Sequence, residues 1–336
     1  MKTVTKKVFE KSDYQGASPS TLCVGCGHDQ VSKHIIQACY QSEVNPFSIA
    51  KVSGIGCSSK TPNYFLKQSR GLNGIHGRMA SLATGVKIAN RKLKVLGVSG
   101  DGDTGSIGLG SFLHTVRKNV PMIYIVENNG VYGLTKGQFS VTAQKDSILK
   151  KRNKNPFYQM DLCRIALSAG CGFVARSFSG DSTQLTKLLK LALKYEGFSF
   201  IDVISPCVAY GNEEDFSHSF SYLKENRISL NELDIIMETS VREENIEEGK
   251  ITNISLPNGE ILALKKLKNH DPTKKKQAEK VLDENLEKSH IATGLIYYNN
   301  QDNFLNKLNL SDKAFVEIEN LRISPKVLSA VLDNYR

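Results

Sequence analysis

Short apolar runs alternate with helix-length segments through the middle of the chain. The strand-length runs lie at 94–100, 121–129 and 198–206. The segments with helical spacing of apolar residues lie at 77–92, 105–119, 161–170 and 181–197. This alternation predicts an α/β fold with a doubly wound parallel sheet. Ligands of such sheets bind at the carboxyl ends of the strands, so the loops after Gly97, Val126 and Ile204 are the expected binding region.

The segment 181–197 carries its own boundary signals. Asp181 is of a type that accepts hydrogen bonds at a helix N-cap, and Gly197 is of a type that ends helices at the C′ position. We therefore expect a helix between these two residues.

The last third of the chain differs in composition. From about residue 215 it becomes richer in Lys, Glu and Asn, with a hairpin-like piece whose turn is Asn258-Gly259. We predict a first domain over 1–215 and a C-terminal extension over 216–336. The run Lys274–Lys276 predicts a solvated helix start rather than a binding site.

Composition and charge restrict the kinds of ligand and partner that this chain is expected to bind. With 336 residues, 40% hydrophobic and 23% charged, the chain is predicted to be globular. Its net charge is +10, and residues 51–100 hold nine Lys or Arg and no acid, which suits an anionic ligand or an acidic partner. Because no basic stretch is interleaved with stacking aromatic residues, nucleic-acid binding is not expected.

The distribution of apolar residues also bears on where the protein is expected to be located. No apolar run approaches the roughly 18 residues of a spanning helix, and the first residues lack the apolar stretch of a signal peptide. We expect a soluble, cytoplasmic protein without membrane contact.

Seven cysteines in such a chain argue against a disulfide framework, and some of them are expected to be ligands.

The loop after the first strand, Gly100-Asp-Gly-Asp-Thr-Gly105, fits the GxGxxG pattern of dinucleotide sites. Its two carboxylates would repel a pyrophosphate, since unit charges about 4 Å apart cost about 4 kcal/mol at an effective dielectric of about 20. A divalent cation bound between the carboxylates and the pyrophosphate turns this repulsion into attraction. The loop therefore favours a metal-bridged diphosphate over a bare dinucleotide.

The next strand supplies further oxygen ligands, because it ends in Glu127-Asn128-Asn129-Gly130. Mg²⁺ prefers oxygen ligands and is commonly held by one or two protein groups together with substrate phosphates. Asp101, an Asn amide and a turn carbonyl would complete such a clamp. The alternative is that both motifs are ordinary turns, which either motif alone would allow.

A wider set of motifs resembles the β subunit of 2-oxoacid:ferredoxin oxidoreductases, a thiamine diphosphate-binding family of 2-oxoglutarate or pyruvate type. In chain order the motifs are Cys23-Val-Gly-Cys26-Gly-His28, Ile55-Gly-Cys57-Ser58, His76-Gly-Arg78, Gly100-Asp-Gly-Asp103, Asn129-Gly-Val-Tyr-Gly-Leu-Thr-Lys-Gly-Gln138 and Ser205-Pro-Cys207. Two further pieces, His270–Thr273 and Thr293–Leu295, look like the family's C-terminal segment.

The resemblance implies a thiamine diphosphate site over 1–215. Asp101 and Asn129 would bind Mg²⁺ through their side chains, and Val131 through its carbonyl. The residues implied along the diphosphate are Gly102, Asp103, Gly133 and Leu134. Those implied on the opposite side of the cofactor are Ile55, Gly56, Cys57, Ser58 and His76. The alternative for His76 is an ordinary core or surface histidine.

The resemblance also implies a [4Fe–4S] cluster. Its ligands would be Cys23, Cys26, Cys57 and Cys207. A CxxC pair alone could equally mean zinc or redox chemistry, but zinc sites usually contain two pairs, whereas Cys57 and Cys207 stand singly. The remaining cysteines, Cys39, Cys163 and Cys171, are predicted to be small core residues.

The implied activity is CoA-dependent oxidative decarboxylation of 2-oxoglutarate or a broader range of 2-oxoacids, giving acyl-CoA, CO₂ and reduced ferredoxin. Lys136, and less strongly Lys60, are candidates for holding the substrate carboxylate, and the alternative for both is an exposed lysine. Val24 and Val141 stand where the family usually has proline, which loosens a loop but removes no ligand.

The implied partners are a second subunit, ferredoxin, CoA and the 2-oxoacid. The family places the carboxylate that engages the aminopyrimidine ring on an α or fused γα subunit, and this chain offers no candidate for it. Two other functions remain open. One is a non-redox thiamine diphosphate-dependent decarboxylase or synthase subunit with idle cysteines, and the other is a non-catalytic NAD-binding or assembly protein.

Overall fold

The computed structural model describes residues 9–149, 154–236, 251–256, 259–308 and 313–317, together with positions 325, 329, 332 and 333. The α-helices are α1 Gly27–Gln41, α2 Met79–Ala89, α3 Leu109–Arg117, α4 Leu162–Ser168, α5 Ser182–Lys194, α6 Phe220–Asn226 and α7 Lys275–Glu287. The strands are β1 Ile49–Ser53, β2 Arg70–Asn73, β3 Lys94–Gly100, β4 Met122–Asn128, β5 Val131–Tyr132, β6 Gln138–Phe139, β7 Phe173–Phe178, β8 Phe198–Ile204, β9 Arg227–Ser229, β10 Asn231–Ile236, β11 Ile251–Ser255, β12 Ile261–Lys266 and β13 Ile291–Tyr298.

The main sheet has eight strands in the order β2-β1-β3-β4-β8-β7-β13-β9. Its pairs are parallel except for β13 with β7, which is antiparallel. The order runs in both directions from the β3–β4 pair, as in doubly wound sheets. The α/β fold predicted from the sequence is confirmed.

Apolar side chains cover both faces of this sheet. On one face the helices α1 and α5 pack through residues such as Ile35 and Leu188. On the other face α2, α3, α4 and α7 contribute, and Phe112 lies at the centre with its ring 5.2 Å from those of Tyr124 and Phe200. Two buried layers therefore hold the strand ends in fixed positions.

The three strands predicted from apolar runs are β3, β4 and β8, with boundaries within two residues of the expected ones. Helix α5 begins where predicted, since Asp181 Oδ1 accepts a hydrogen bond from Gln184 N at 3.0 Å. The prediction for Gly197 was wrong, because the helix ends at Lys194. A Cβ at position 197 would lie 2.5 Å from Asn119 Oδ1, so this glycine allows a close approach instead.

The segment after residue 215 does two things. It adds β9 and β13 to the main sheet, and it forms a separate antiparallel sheet in the order β10-β12-β11. Asn258 of the predicted turn lies outside the described residues, while Gly259 has a φ of 82°. Lys274, Lys275 and Lys276 are exposed at the start of α7, as predicted. The domain boundary at 215 stays a prediction.

In the described part of the chain, none of the helices combines the length and the apolar character that crossing a membrane requires. The cytoplasmic location stays a prediction.

Candidate active site

The carboxyl ends of β1, β3 and β4 meet at one cavity of about 120 Å³. The residues that line it are His28, Ile55, Gly56, Cys57, Ser58, His76, Gly100, Asp101, Gly102, Asp103, Glu127, Asn129, Val131, Tyr132, Gly133, Leu134 and Thr135. Every residue that the resemblance implied for the diphosphate, the metal and the opposite side of the cofactor is in this group. Parallel pairing of the three strands brings them together from distant parts of the sequence.

Asp101 lies at the first turn after β3 and is buried. Its Oδ2 accepts a hydrogen bond from Thr142 Oγ1 at 2.6 Å. Burial raises the pKa of the Asp101 carboxyl, and the side-chain hydroxyls of Ser140 and Thr142 oppose the rise. Nearby, Asn129 Oδ1 accepts a hydrogen bond from Val131 N at 3.0 Å. This bond holds the Asn129 side-chain amide within the bend that follows β4. The two side chains predicted to bind a metal therefore line the same cavity.

Asp103 has a different role from Asp101. Its Oδ1 accepts from Gly77 N at 2.7 Å and contacts His76 Nδ1, while its Oδ2 accepts from Ser99 Oγ at 2.6 Å. A Cβ at Gly54 would lie 1.8 Å from Asp103 Oδ2. The Asp103 carboxylate is thus occupied in tying the loop after β1 and the loop before α2 to the glycine turn.

Tyr132 covers the glycine turn. Its hydroxyl donates to the carbonyl of Gly102 at 3.3 Å, and a Cβ at Gly102 would lie 2.4 Å from the Tyr132 ring. Only a residue without a side chain fits beneath this ring. One residue further along, a Cβ at Gly133 would lie 3.6 Å from Cys57 Sγ and 3.8 Å from Cys207 Sγ. The cavity wall therefore adjoins two of the predicted cluster ligands.

The four predicted cluster cysteines come from three loops. The pKa of the Cys26 thiol is raised to about 12, mainly by burial, with smaller contributions from nearby Glu127, Cys207 and Cys23. Burial also raises the pKa of the Cys57 thiol, again with Cys207 and Cys23 nearby. Two of the loops are tied together, since Gly27 N donates to Pro206 O at 3.1 Å. Cys23 and Cys207 therefore lie near both Cys26 and Cys57.

The grouping of possible metal ligands adds to this picture of the cysteines. Among the residues that the structure describes, no group of three or more His, Cys, Asp or Glu side chains is placed to hold a single metal ion. Cys39, Cys163 and Cys171 are buried in the two apolar layers, as predicted for core residues.

The sequence analysis missed three polar residues beside the cofactor residues. Glu127 is fully buried and accepts from Thr61 Oγ1 at 3.0 and 2.9 Å, and burial raises its pKa well above the ordinary range. His28 Nδ1 lies 2.7 Å from Ser205 Oγ, and burial lowers the pKa of His28 to about 4. Thr142 is the third. Glu127 and His28 stand within motifs quoted above, which was the available signal, but no role was assigned to either.

The two candidate substrate lysines do not line the cavity. Lys136 is exposed, has a φ of 72°, and lies in the turn that joins β5 to β6, next to the lining residue Thr135. Lys60 is half-buried within the 3₁₀ segment Cys57–Tyr64, close enough to Cys57 to lower the pKa of its thiol against the larger effect of burial.

The model of a known family, described as "Thiamine pyrophosphate enzyme, C-terminal TPP binding domain", matches residues 54–203. This span contains β3, β4, the acidic turn and the bend at Asn129. The fold and the cavity therefore define a thiamine diphosphate-binding domain.

Curated relatives narrow the class. The chain is 40% identical over 193 residues to "2-oxoacid:ferredoxin oxidoreductase subunit beta" of Saccharolobus solfataricus, covering 56% of this chain and 63% of the relative. It is 37% identical over 225 residues to "2-oxoglutarate synthase subunit KorB" of Methanocaldococcus jannaschii, covering 65% of this chain and 82% of the relative. The chain belongs to this family of 2-oxoacid:ferredoxin oxidoreductase β subunits.

A solved structure is similar over most of the chain. It is described as "2-oxoglutarate:ferredoxin oxidoreductase from Magnetococcus marinus with 2-oxoglutarate, coenzyme A and succinyl-CoA bound". The TM-score is 0.72 at 27% sequence identity, with 89% of each chain covered. At this coverage the match extends beyond residue 215 into the C-terminal segment.

Proposed function

We propose that this chain is the β subunit of an enzyme that oxidatively decarboxylates a 2-oxoacid with coenzyme A, giving acyl-CoA, CO₂ and reduced ferredoxin. One observation carries the proposal: the acidic turn, the amide bend and a wall bordered by Cys57 and Cys207 share one cavity. 2-Oxoglutarate is the first substrate to test, because it appears in the names of a relative and of a similar solved structure.

The oxygen groups at the cavity fit a magnesium-bound diphosphate. Asp101 is a buried carboxyl, and no Lys or Arg is among the groups that shift its pKa, so a divalent cation would supply the missing positive charge. Asp101, Asn129 and the carbonyl of Val131 are the proposed ligands. Thiamine diphosphate, when bound, supplies the electron sink for decarboxylation.

The residues around this clamp would shape the site. Gly102 leaves room for the diphosphate under Tyr132, and Gly133 and Leu134 continue the same wall. Ile55, Gly56, Ser58 and His76 would contact the cofactor from the opposite side, in loops held by Asp103.

The cysteines fit an iron–sulfur cluster in number and in chemistry. A four-iron cluster holds its four thiolates further apart than a single ion does, so closeness without single-ion geometry is compatible with it. Cys23, Cys26, Cys57 and Cys207 are the proposed ligands. Because Cys57 also lines the cofactor cavity, electrons leaving the cofactor would have only a short distance to cross.

The shape of the cavity supports a partner subunit. Its volume of about 120 Å³ is well below the roughly 300 Å³ at which pockets begin to enclose whole ligands. Its mouth exposes Ile55 and Leu134, and Ile75 and Ile107 are exposed on adjoining loops. We propose that an α or fused γα subunit covers this apolar mouth and brings the carboxylate that engages the aminopyrimidine ring.

Substrates and electron acceptor complete the proposal. Lys136, on the hairpin beside the mouth, and Lys60, beside Cys57, are the proposed contacts of the substrate carboxylate. The excess of basic over acidic residues suits an acidic ferredoxin, which would be steered toward the subunit at low ionic strength.

The proposal is tested by anaerobic co-expression with the partner subunit. The expected result is reduction of a viologen dye that requires both a 2-oxoacid and CoA, and a panel of 2-oxoglutarate, pyruvate and branched-chain 2-oxoacids identifies the substrate. Iron and acid-labile sulfide should be present. Decarboxylation by an iron-free complex would instead favour the non-redox decarboxylase or synthase.

A further inference from the structure

Thr142 lies between the glycine turn and the interior of the sheet. Its Oγ1 is 2.6 Å from Asp101 Oδ2 and 2.8 Å from Asn128 Oδ1. Thr142 is buried, and it follows β6 in a segment without secondary structure of its own. A loop residue therefore makes a direct side-chain contact to the carboxylate on which the proposed metal site depends.

The orientation of the Asn128 amide is fixed from its other side. Asn128 Nδ2 donates to Asp202 Oδ1 at 3.0 Å, and reversing the amide would place its oxygen against the Asp202 carboxylate. Asn128 therefore presents an oxygen to Thr142. The hydroxyl of Thr142 has one proton and faces two acceptors, of which an ionised carboxylate is the stronger.

The contacts continue into the core. Asp202 Oδ2 accepts from Arg176 Nε at 2.8 Å, and Arg176 Nη2 donates to Asp161 Oδ1 at 2.6 Å. Asp161 also accepts from Arg164 N, which caps the start of α4. These groups lie on β8, β7 and α4, so the Asn128 amide beside Thr142 is held by elements that packing holds rigid.

From this geometry we infer that Thr142 is a positioning residue for the metal site. Its hydroxyl donates to Asp101 Oδ2 and holds the carboxylate in one orientation, while the Asn128 amide, fixed by Asp202 and Arg176, bounds Thr142 on its other side. The inference rests on the proposed magnesium site. Residues behind a metal ligand commonly change metal affinity by about 10- to 100-fold when they are removed.

The test measures cofactor binding rather than turnover. Thiamine diphosphate is titrated by calorimetry into the assembled, anaerobically purified complex at a series of Mg²⁺ concentrations. Thr142→Val should raise the Mg²⁺ concentration needed for half-maximal binding by about 10- to 100-fold. Thr142→Ser, which keeps the hydroxyl, should stay close to wild type.

Two variants make the result specific. Thr115→Val removes a hydroxyl of similar burial whose hydrogen bond goes to Ser111 O in α3, and it should leave the Mg²⁺ dependence unchanged. Asp101→Ala should abolish Mg²⁺-dependent binding. If Thr142→Val does not assemble, Thr142→Ala replaces it, because alanine adds no methyl group at the hydroxyl position.

The outcomes separate the two proposals. If Asp101→Ala abolishes binding while Thr142→Val keeps the wild-type Mg²⁺ dependence, the positioning role is wrong and the metal site stands. A Thr142→Ser variant as impaired as Thr142→Val also overturns the positioning role, because the hydroxyl would not be the operative group. Retention of binding by Asp101→Ala contradicts the metal site itself.

Discussion

Asp103 Oδ1 lies 2.7 Å from the backbone nitrogen of Gly77, which donates a hydrogen bond to it. This bond joins the turn after β3 to the loop that carries His76. The same carboxylate reaches the loop after β1, where Ile55 N lies 3.4 Å from Oδ1. One buried side chain thus sets the relative position of two walls of the cavity.

Replacing Asp103 should therefore affect both stability and cofactor binding. Asp103→Ala leaves Gly77 N without its acceptor and the Ser99 hydroxyl with only the Gly100 carbonyl at 3.4 Å, which should lower the free energy of unfolding by about 2–4 kcal/mol. Denaturant unfolding measures the first effect and thiamine diphosphate titration the second. Normal cofactor affinity in a destabilised Asp103→Ala variant would limit this residue to a structural role.

Gly102 should not tolerate a side chain. In Gly102→Ala the new Cβ would displace the Tyr132 ring from its place against the turn, so cofactor affinity should fall. The double variant Gly102→Ala/Tyr132→Ala makes room and should recover part of the lost affinity. Affinity that is equally low in the single and double variants would show that the contact with Tyr132 is not the cause. Thiamine diphosphate titration provides the comparison.

Cysteine variants should divide into two groups. Cys57→Ser removes a proposed cluster ligand and should lower the iron and acid-labile sulfide content sharply, with loss of dye reduction. Cys39→Ala, at a core position far from the cavity, should keep the full iron content despite some loss of stability. Equal iron content in the two variants would contradict the proposed ligand set.

The buried His270 should make stability depend on pH. Burial lowers its pKa to about 4, and its Nε2 donates to Ile296 O at 2.9 Å. Because the folded pKa lies below the unfolded one, the folded state binds fewer protons between about pH 4 and 6.5, so stability is present above about pH 6.5 and is lost as the pH falls.

The magnitude of this effect is limited to about 3 kcal/mol. His270→Gln keeps a donor for the Ile296 carbonyl but cannot titrate, so it should flatten the fall in unfolding free energy between pH 6.5 and 4. Urea unfolding at several pH values measures the slope. An unchanged slope in this variant would assign the acid sensitivity to other buried groups, such as His218.

Local patterns predicted three strands of the main sheet, and the structure brings the proposed cofactor residues to one cavity. Apolar runs located β3, β4 and β8, because buried parallel strands consist almost entirely of apolar residues. The acidic turn and the Asn129 bend could be combined into one site because the carboxyl ends of adjacent strands must meet.

Contacts between segments far apart in the sequence could not be predicted from local patterns. Thr142 lies in an irregular segment where no periodicity marks a buried hydroxyl, and its partner Asp101 is 41 residues away. The bond of Asp103 to Gly77 depends on a backbone nitrogen, which no residue type reveals. Gly197 was assigned to a helix end, whereas its surroundings are set by Asn119, 78 residues earlier, whose Oδ1 would lie 2.5 Å from an added Cβ.

Strand β13 has a practical consequence for protein engineering. It covers β7 with an antiparallel pairing and buries Leu295 and Ile296 against the two layers of the core. A fragment cut after residue 215 would leave β7 as a bare edge with unpaired backbone groups, which invites aggregation. A minimal expression fragment that retains an intact sheet must therefore extend at least through Tyr298.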